Sequence, residues 1–374
     1  MLVLACLSCI GAAVPEAAET IAIYGVVIDG TGGDPIPGGV VVVSGDRIVA
    51  IGFAAEIVIP EGAREVRIAD ATVLPGIIDT HVHQAYDAWT LAQWAESGVT
   101  TVRDLGADPN MDWDRVRDGF AEDLTLATLI VSGPLVTVPD GYGVTHGFPV
   151  AVTASSSAEA RNITDGLICD GVDIIKIAID SSMPHDFDAV MSLDVTQAIV
   201  DTAHEQGQSV VAHISNEADV LLAIEAGVDQ IAHTGTGSRR IATLQSLVDH
   251  GIIWVTTLFN PSGSAHLKNF FERGGIVAMG TDRGAMGRVD ASMPVEQFQR
   301  MMRSGMDAMS VIVASTRNAA LACGIEDEVG TLEIGKFADL LVVAGDPLGD
   351  ITVLGDAVFV MHHGTVVHDE VGAD

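Results

Sequence analysis

Six side chains that can bind a metal ion follow, or lie within, short apolar stretches of the sequence. They are four histidines, one lysine and one aspartate: His81, His83, Lys176, His213, His233 and Asp282. His81 and His83 are two positions apart, so in a strand both side chains point to the same face and can share one metal ion. A lone histidine is more often structural, but six such groups at one edge of a fold favour metal chemistry.

Lys176 stands among apolar neighbours, in the run from Ile174 to Ile179, in a chain with only three lysines. A charged ammonium group is unfavourable in such surroundings. One interpretation is that Lys176 faces solvent at the end of a strand. The other is a neutral amine that reacts with carbon dioxide to form a carbamate, whose two oxygens could bridge two metal ions.

Eight apolar runs alternate with helical patterns in the middle of the chain and would position these groups. The runs are Val73–Ile78, Val99–Val102, Leu129–Ser132, Ile174–Ile177, Val210–Ala212, Gln230–Ala232, Ile253–Thr257 and Ile276–Met279. Eight strand-helix units predict an α/β fold, a (β/α)8 TIM-like barrel over residues 73–329. Functional residues of this fold lie at the carboxyl ends of the strands.

The two flanks of the chain have a different pattern, with short β-type runs separated by Gly and Pro turns. They predict one small β-sandwich built from residues 19–72 and 330–374. Residues 1–18 are apolar and small and are typical of a signal or leader segment, which predicts export, for example to a periplasm, with a cytoplasmic location as the alternative. The segment ending at Cys6 resembles a lipoprotein box, so we expect membrane association only through a lipid anchor there.

The charge balance excludes one class of partner. The 374 residues include 51 acidic and 18 basic side chains, for a formal net charge of −33. A polyphosphate backbone would be repelled, so nucleic-acid binding is not expected. We interpret the acidic residues as a solvated surface.

Three longer motifs give the chain a family resemblance. They are Pro75–His83, Gly98–Asp104 and Gly330–Leu340. In these motifs the chain resembles the amidohydrolase superfamily, in the branch of imidazolonepropionase-related and Xaa-Pro dipeptidase-like enzymes, and the resemblance runs from Thr20 to Val367. Imidazolonepropionase itself is not favoured, because its Lys-Ser-Gly-Tyr-Gly run after the second strand is replaced here by Asp104–Ala107.

The resemblance implies a binuclear centre with two divalent metal ions, usually zinc. His81, His83 and Asp282 would hold the more buried ion, and His213 and His233 the more exposed one. Carboxylated Lys176 and a hydroxide would bridge the two ions.

In the reaction that the resemblance implies, the bridging hydroxide attacks the substrate, and Asp282 acts as general base and then general acid. His146 matches the position of a substrate-binding histidine in dipeptidase-like relatives. Arg103, at the end of the second strand, is expected either to bind a substrate carboxylate or to pair with Asp104.

The sequence therefore predicts a metal-dependent hydrolase of C–N amide bonds, with dipeptides or N-acyl amino acids as substrates. An ester, lactone or phosphotriester hydrolase is the alternative on the same site. A mononuclear deaminase is less favoured, because the glutamate of its His-x-x-Glu pattern would stand one residue too far from His213, at Glu217. A non-catalytic scaffold and a homo-oligomeric state stay open. The other histidines, including His362 and His363, match no site.

Overall fold

The computed structural model describes residues 19–144, 150–181, 189–233, 240–260, 264–285, 287 and 289–371. The strands are β1 (Thr20–Val27), β2 (Ile36–Ser44), β3 (Arg47–Phe53), β4 (Arg64–Pro75), β5 (Ile77–Val82), β6 (Val99–Asp104), β7 (Thr128–Val131), β8 (Leu135–Thr137), β9 (Ala151–Thr153), β10 (Ile175–Ile179), β11 (Val210–Ile214), β12 (Gln230–Ala232), β13 (Ile253–Thr256), β14 (Val277–Met279), β15 (Leu340–Ala344), β16 (Ala357–His362) and β17 (Thr365–Asp369).

The helices are α1 (Ala88–Ser97), α2 (Trp113–Ala121), α3 (Ser157–Cys169), α4 (Leu193–Glu205), α5 (Glu217–Ala226), α6 (Ile241–Asp249), α7 (Ala265–Phe271), α8 (Val295–Arg303), α9 (Ala308–Ser315) and α10 (Arg317–Cys323), with a 3-10 turn at Ile351–Gly355. Several begin at a side-chain cap. Asn216, for example, forms a reciprocal capping box with Asp219 at the start of α5. None of the helices in the described ranges is long and apolar enough to cross a membrane.

The strands from the two ends of the chain form one mixed sheet, in the order β17-β16-β15-β4-β1-β2-β3. Its apolar core draws on strands from both ends of this order, including Ile48 of β3 and Phe359 of β16. The sheet curls until its two outer hairpins meet: a β-carbon on Gly364 would lie 2.2 Å from the carbonyl oxygen of Gly45. Burial of apolar side chains between the facing parts of the curled sheet therefore joins the two ends of the chain into one small β-sandwich, as the sequence predicts.

The barrel consists of parallel strands β5, β6, β7 and β10 to β14, with β8 and β9 added at one edge of the larger sheet. Backbone hydrogen bonds close the ring, since His83 N donates to Arg283 O and Asp282 N donates to His81 O. The predicted (β/α)8 fold is confirmed.

The first predicted barrel strand differs in detail. Val73 and Leu74 belong to β4 and pair with β15 in the terminal sheet, whereas the barrel strand β5 begins at Ile77. Gly76 separates the two strands and lies so close to Thr100 that a β-carbon there would clash at 2.2 Å. The apolar run therefore crosses from one sheet into the other at a glycine.

Candidate metal centre

Five of the six predicted metal-binding residues lie at or just after the carboxyl ends of barrel strands. His81 and His213 are the penultimate residues of β5 and β11, and His83, His233 and Asp282 follow β5, β12 and β14, whereas Lys176 is the second residue of β10. Their rings are close together: the ring centroids of His81 and His233 are 4.8 Å apart, and those of His233 and His213 are 4.4 Å apart. The barrel thus brings the predicted set into one cluster.

Asp282 is at the centre of three of the histidines. Its Oδ1 lies 3.0 Å from His83 Nε2 and 3.3 Å from His81 Nε2, and its Oδ2 lies 3.8 Å from His233 Nδ1. One ligand atom each from His81, His83 and Asp282 lie within 4.8 Å of one another. Two imidazoles and a carboxylate in this arrangement suit a divalent metal such as zinc.

The backbone is held in an unusual conformation beside this cluster. Gln84, His233 and Asp282 have positive φ angles of 59°, 71° and 61°. Non-glycine residues adopt this left-handed region at a cost, and such strain concentrates at functional sites. Gly280 allows β14 to approach β5 closely, because a β-carbon there would lie 2.7 Å from the β-carbon of His81.

His213 is held by neighbours that the sequence interpretation did not assign. Its Nε2 lies 3.2 Å from Oδ2 of Asp180, which also accepts a 2.8 Å hydrogen bond from Ser215 Oγ. The Tyr142 ring stacks on the imidazole with centroids 4.0 Å apart. Asp180 directly follows β10, four residues after Lys176, so the alternation of side chains was the signal that could have placed both on one face. Asp180 and Tyr142 therefore fix the orientation of this histidine.

Lys176 is buried, and its Nζ has no hydrogen-bond partner within the described ranges. Burial, opposed by the charge of Asp282 and reinforced by that of Arg103, lowers the pKa of the Lys176 amine from 10.5 to about 7. The Nδ1 atom of His81 is also buried without a hydrogen-bond partner among the described residues. Buried polar atoms normally find partners, so two orphaned nitrogens fit a site that binds a metal and carries a carboxylated lysine.

The histidine pKa values follow from burial and from Asp282. Burial lowers the pKa of His81 and of His233 well below the ordinary value, and Lys176 adds to both effects. Burial also lowers the pKa of His213. Of these four histidines, His83 alone has a raised pKa, because its hydrogen bond to Asp282 and the carboxylate charge outweigh burial. Neutral imidazoles are the form that binds metals.

Two buried carboxylates, those of Asp79 and Asp104, accept hydrogen bonds from the backbone next to the cluster. Asp79 accepts from the backbone N of His81 and from both the backbone N and the hydroxyl of Thr281, which connects β5 to the segment after β14. Asp104 accepts from the backbone N of Ala85. Burial raises the pKa of each carboxyl to about 6. Asp79 precedes His81 by two residues, so its position on the same strand face was available from the sequence.

Arg103 corrects one expectation from the sequence. Its side chain is fully buried, and its guanidinium donates to Thr80 O, to Ala322 O and to Gln230 Oε1. It therefore has no surface left for a substrate carboxylate. Among the described residues, Arg103 does not donate to Asp104, whose carboxylate accepts from the backbone N–H groups of Ala85 and Gly106 instead. Arg103 stabilises the barrel interior.

The remaining predicted substrate contact, His146, lies outside the described residues. Arg283, which follows Asp282, donates to the backbone oxygens of Asp290 and Ser292. These bonds order the loop after β14.

A closed barrel that brings imidazoles, a carboxylate and a buried lysine together within its strands and at their carboxyl ends is the arrangement expected of a metal-binding hydrolase. The chain belongs to the amidohydrolase family, whose family model matches residues 72–367.

Relatives support the same class. An uncharacterised protein of Mycobacterium tuberculosis is 29% identical over 74% of this chain and 80% of its own length. Ochratoxinase of Aspergillus niger is 25% identical over 94% of this chain and 86% of its own length. Among solved structures, a Xaa-Pro dipeptidase with bound methionine superimposes with a TM-score of 0.80 and 22% identity, covering 93% of this chain and 99% of the other. The dipeptidase is a structural neighbour, and its likeness concerns the fold.

Proposed function

We propose that this enzyme hydrolyses C–N amide bonds of dipeptides or N-acyl amino acids at a binuclear, zinc-dependent centre. His81, His83 and Asp282 are proposed to hold one ion, and His213 and His233 the second. Support comes from the short distances between Asp282 and three of these histidines, and from the likeness to a dipeptidase fold.

The observation that carries the binuclear proposal is the environment of Lys176. A buried amine with a pKa near 7 and without a partner in the described structure is a good acceptor of carbon dioxide, because only the neutral amine reacts. A carbamate there would place a negative charge with two oxygens among the histidines, where it could hold both ions. This supports two metals over the single metal of a deaminase.

When bound, the two cations would lower the pKa of a water molecule and polarise the scissile carbonyl group. We expect Asp282 to accept a proton from the attacking water and to return it to the leaving amine, and the contacts of both of its carboxylate oxygens with the histidines support this role. Asp180 and Tyr142 hold His213 in one orientation. Asp79 fixes the distance between the strand that carries His81 and the loop that carries Asp282.

A substrate survey with the zinc-loaded full-length chain tests this proposal. Dipeptides and N-acyl amino acids should be hydrolysed, with turnover lost in Asp282→Asn by a factor on the order of 10² or more. Higher turnover of paraoxon or of lactones than of any amide would favour the ester, lactone or phosphotriester alternative. No turnover of any of these substrates by protein with two bound metals would refute the proposal.

We also propose that residues 1–18 direct export, with membrane attachment only if Cys6 is lipidated, and that the chain divides into a terminal β-domain and a barrel domain. Cell fractionation with and without residues 1–18 tests the first statement. Retention of the intact chain in the cytoplasm would contradict it.

A further inference from the structure

A second cluster of metal-binding side chains lies in the terminal sheet. It consists of Asp339, just before β15, with His362 and His363 at the end of β16. One ligand atom from each of the three lies within 4.8 Å of the others. Asp339 and His362 are buried, and the His363 side chain is 25% exposed. Two imidazoles and one carboxylate are the donor set of some protein zinc sites, in which the fourth position is left to a water molecule.

Asp339 has a buried oxygen that needs a partner. Its Oδ1 accepts a 2.6 Å hydrogen bond from the backbone N of His363, but its Oδ2 is buried and has no hydrogen-bond partner among the residues described. A buried carboxylate oxygen is unfavourable unless a cation or a donor compensates it. The free oxygen lies beside two imidazoles, which are the companions that a metal ligand would have.

The bonding of His362 prepares one nitrogen for a metal. The ring Nδ1 lies 3.1 Å from the backbone oxygen of Leu124, which can only accept, so the proton is on Nδ1. The lone pair is then on Nε2, which accepts a 2.9 Å hydrogen bond from the hydroxyl of Thr128, and a bound metal would take the place of that donor. Metal-binding histidines commonly donate their other N–H to a backbone carbonyl in this way, which fixes the tautomer and the ring orientation.

His363 is held in place by its surroundings and is reachable from solvent. Its ring stacks between Phe337 and His362, with centroid distances of 4.1 and 4.4 Å. It also lines a cavity of about 300 Å³ whose other lining residues include Glu19 and Asp46. Acidic residues around a cavity favour the entry of a cation.

We propose that Asp339, His362 and His363 form a zinc site of the terminal sheet, at the contact of this sheet with the barrel. Thr128 and Leu124, which contact His362, lie at the amino end of β7, whereas the candidate catalytic centre lies at the carboxyl ends of the strands. The two sites are therefore at opposite faces of the barrel. On binding, the ligand atoms would close to the spacing of roughly 3.3 Å that a tetrahedral zinc requires.

Metal counting on the full-length protein tests the site. Wild type, His363→Ala and His362→Gln are dialysed against buffered Zn²⁺ alone, and bound zinc is measured by mass spectrometry. Each variant should bind about one equivalent fewer than wild type, and zinc should raise its melting temperature less. His368→Ala is the matched control, because this partly exposed histidine on β17 is outside the cluster, and its zinc content should equal that of wild type.

The result is independent of the proposed catalytic function. Lys176→Ala should bind less zinc than wild type at the candidate catalytic centre. The double variant Lys176→Ala/His363→Ala should bind about one equivalent less than Lys176→Ala alone. Circular dichroism confirms folding, and His362→Gln keeps a hydrogen-bonding side chain should His363→Ala be unstable. Equal zinc content in wild type, His363→Ala and His362→Gln would overturn the proposal and leave His362 as a polar contact between sheet and barrel.

Discussion

Replacement of Lys176 by alanine should remove both metal and activity. The structure gives the magnitude of the effect on the reactive amine. With a pKa of about 7, roughly half of the amines are neutral at pH 7, whereas an exposed lysine with a pKa near 10.4 is neutral in fewer than about one molecule in a thousand. Burial thus raises the amount of amine that can take up carbon dioxide by about three orders of magnitude.

Loss of that group should be severe. Substitution of residues that only orient metal ligands already lowers metal affinity or activity by about 10- to 100-fold. Loss of a bridging ligand should therefore lower them by at least about 100-fold. Metal content measured by mass spectrometry and amide turnover should both fall in Lys176→Ala. Short carboxylic acids such as acetate or propionate should restore part of the activity, because they offer two oxygens in the vacated space.

Lys268→Ala is the matched control, since this lysine is exposed on α7 and pairs with Glu272. It should keep wild-type metal content, since exposed ion pairs contribute little. Unchanged metal stoichiometry and turnover in Lys176→Ala, in protein that is folded by circular dichroism, would refute a bridging carbamate. Loss of metal without any rescue by carboxylic acids would also count against it.

Three further substitutions test the structure around the centre. Arg103→Met should destabilise the chain by about 3 kcal/mol or more in urea unfolding, because three buried acceptors lose their donor. Unchanged stability with a raised KM would instead support a substrate-binding role. Asp180→Asn should weaken metal binding by about 10- to 100-fold in titrations, and unaltered affinity would show that it does not position His213. Gly280→Ala should lower the free energy of unfolding by about 1–3 kcal/mol through overpacking. The control Gly119→Ala, in α2 with open space around it, should raise it by up to about 1 kcal/mol. Equal effects of the two substitutions would contradict the close approach of the strands.

The sequence predicted the barrel, and it placed the candidate metal-binding residues in or next to barrel strands, because both inferences depend on local periodicity. Side-chain alternation puts His81 and His83 on one face of a strand, and parallel strands in a barrel all end at the same rim. The apolar surroundings of Lys176 likewise indicate burial and an abnormal pKa. These inferences need only the neighbours of each residue and the direction of its strand.

Tertiary packing determines the contacts between distant residues, which a local sequence pattern cannot predict. The contact between His83 and Asp282 joins residues 199 positions apart, and only closure of the barrel sets its length. Tertiary packing also decided the role of Arg103. The strand pattern placed this residue at the functional rim, but its acceptors Ala322 O and Gln230 Oε1 come from distant segments in the interior. His362 and His363 matched no site in the sequence because their companion Asp339 is brought to them only by the pairing of β15 with β16. Metal ligands gathered by sheet pairing leave no spacing signal along the chain, whereas ligands on one strand do.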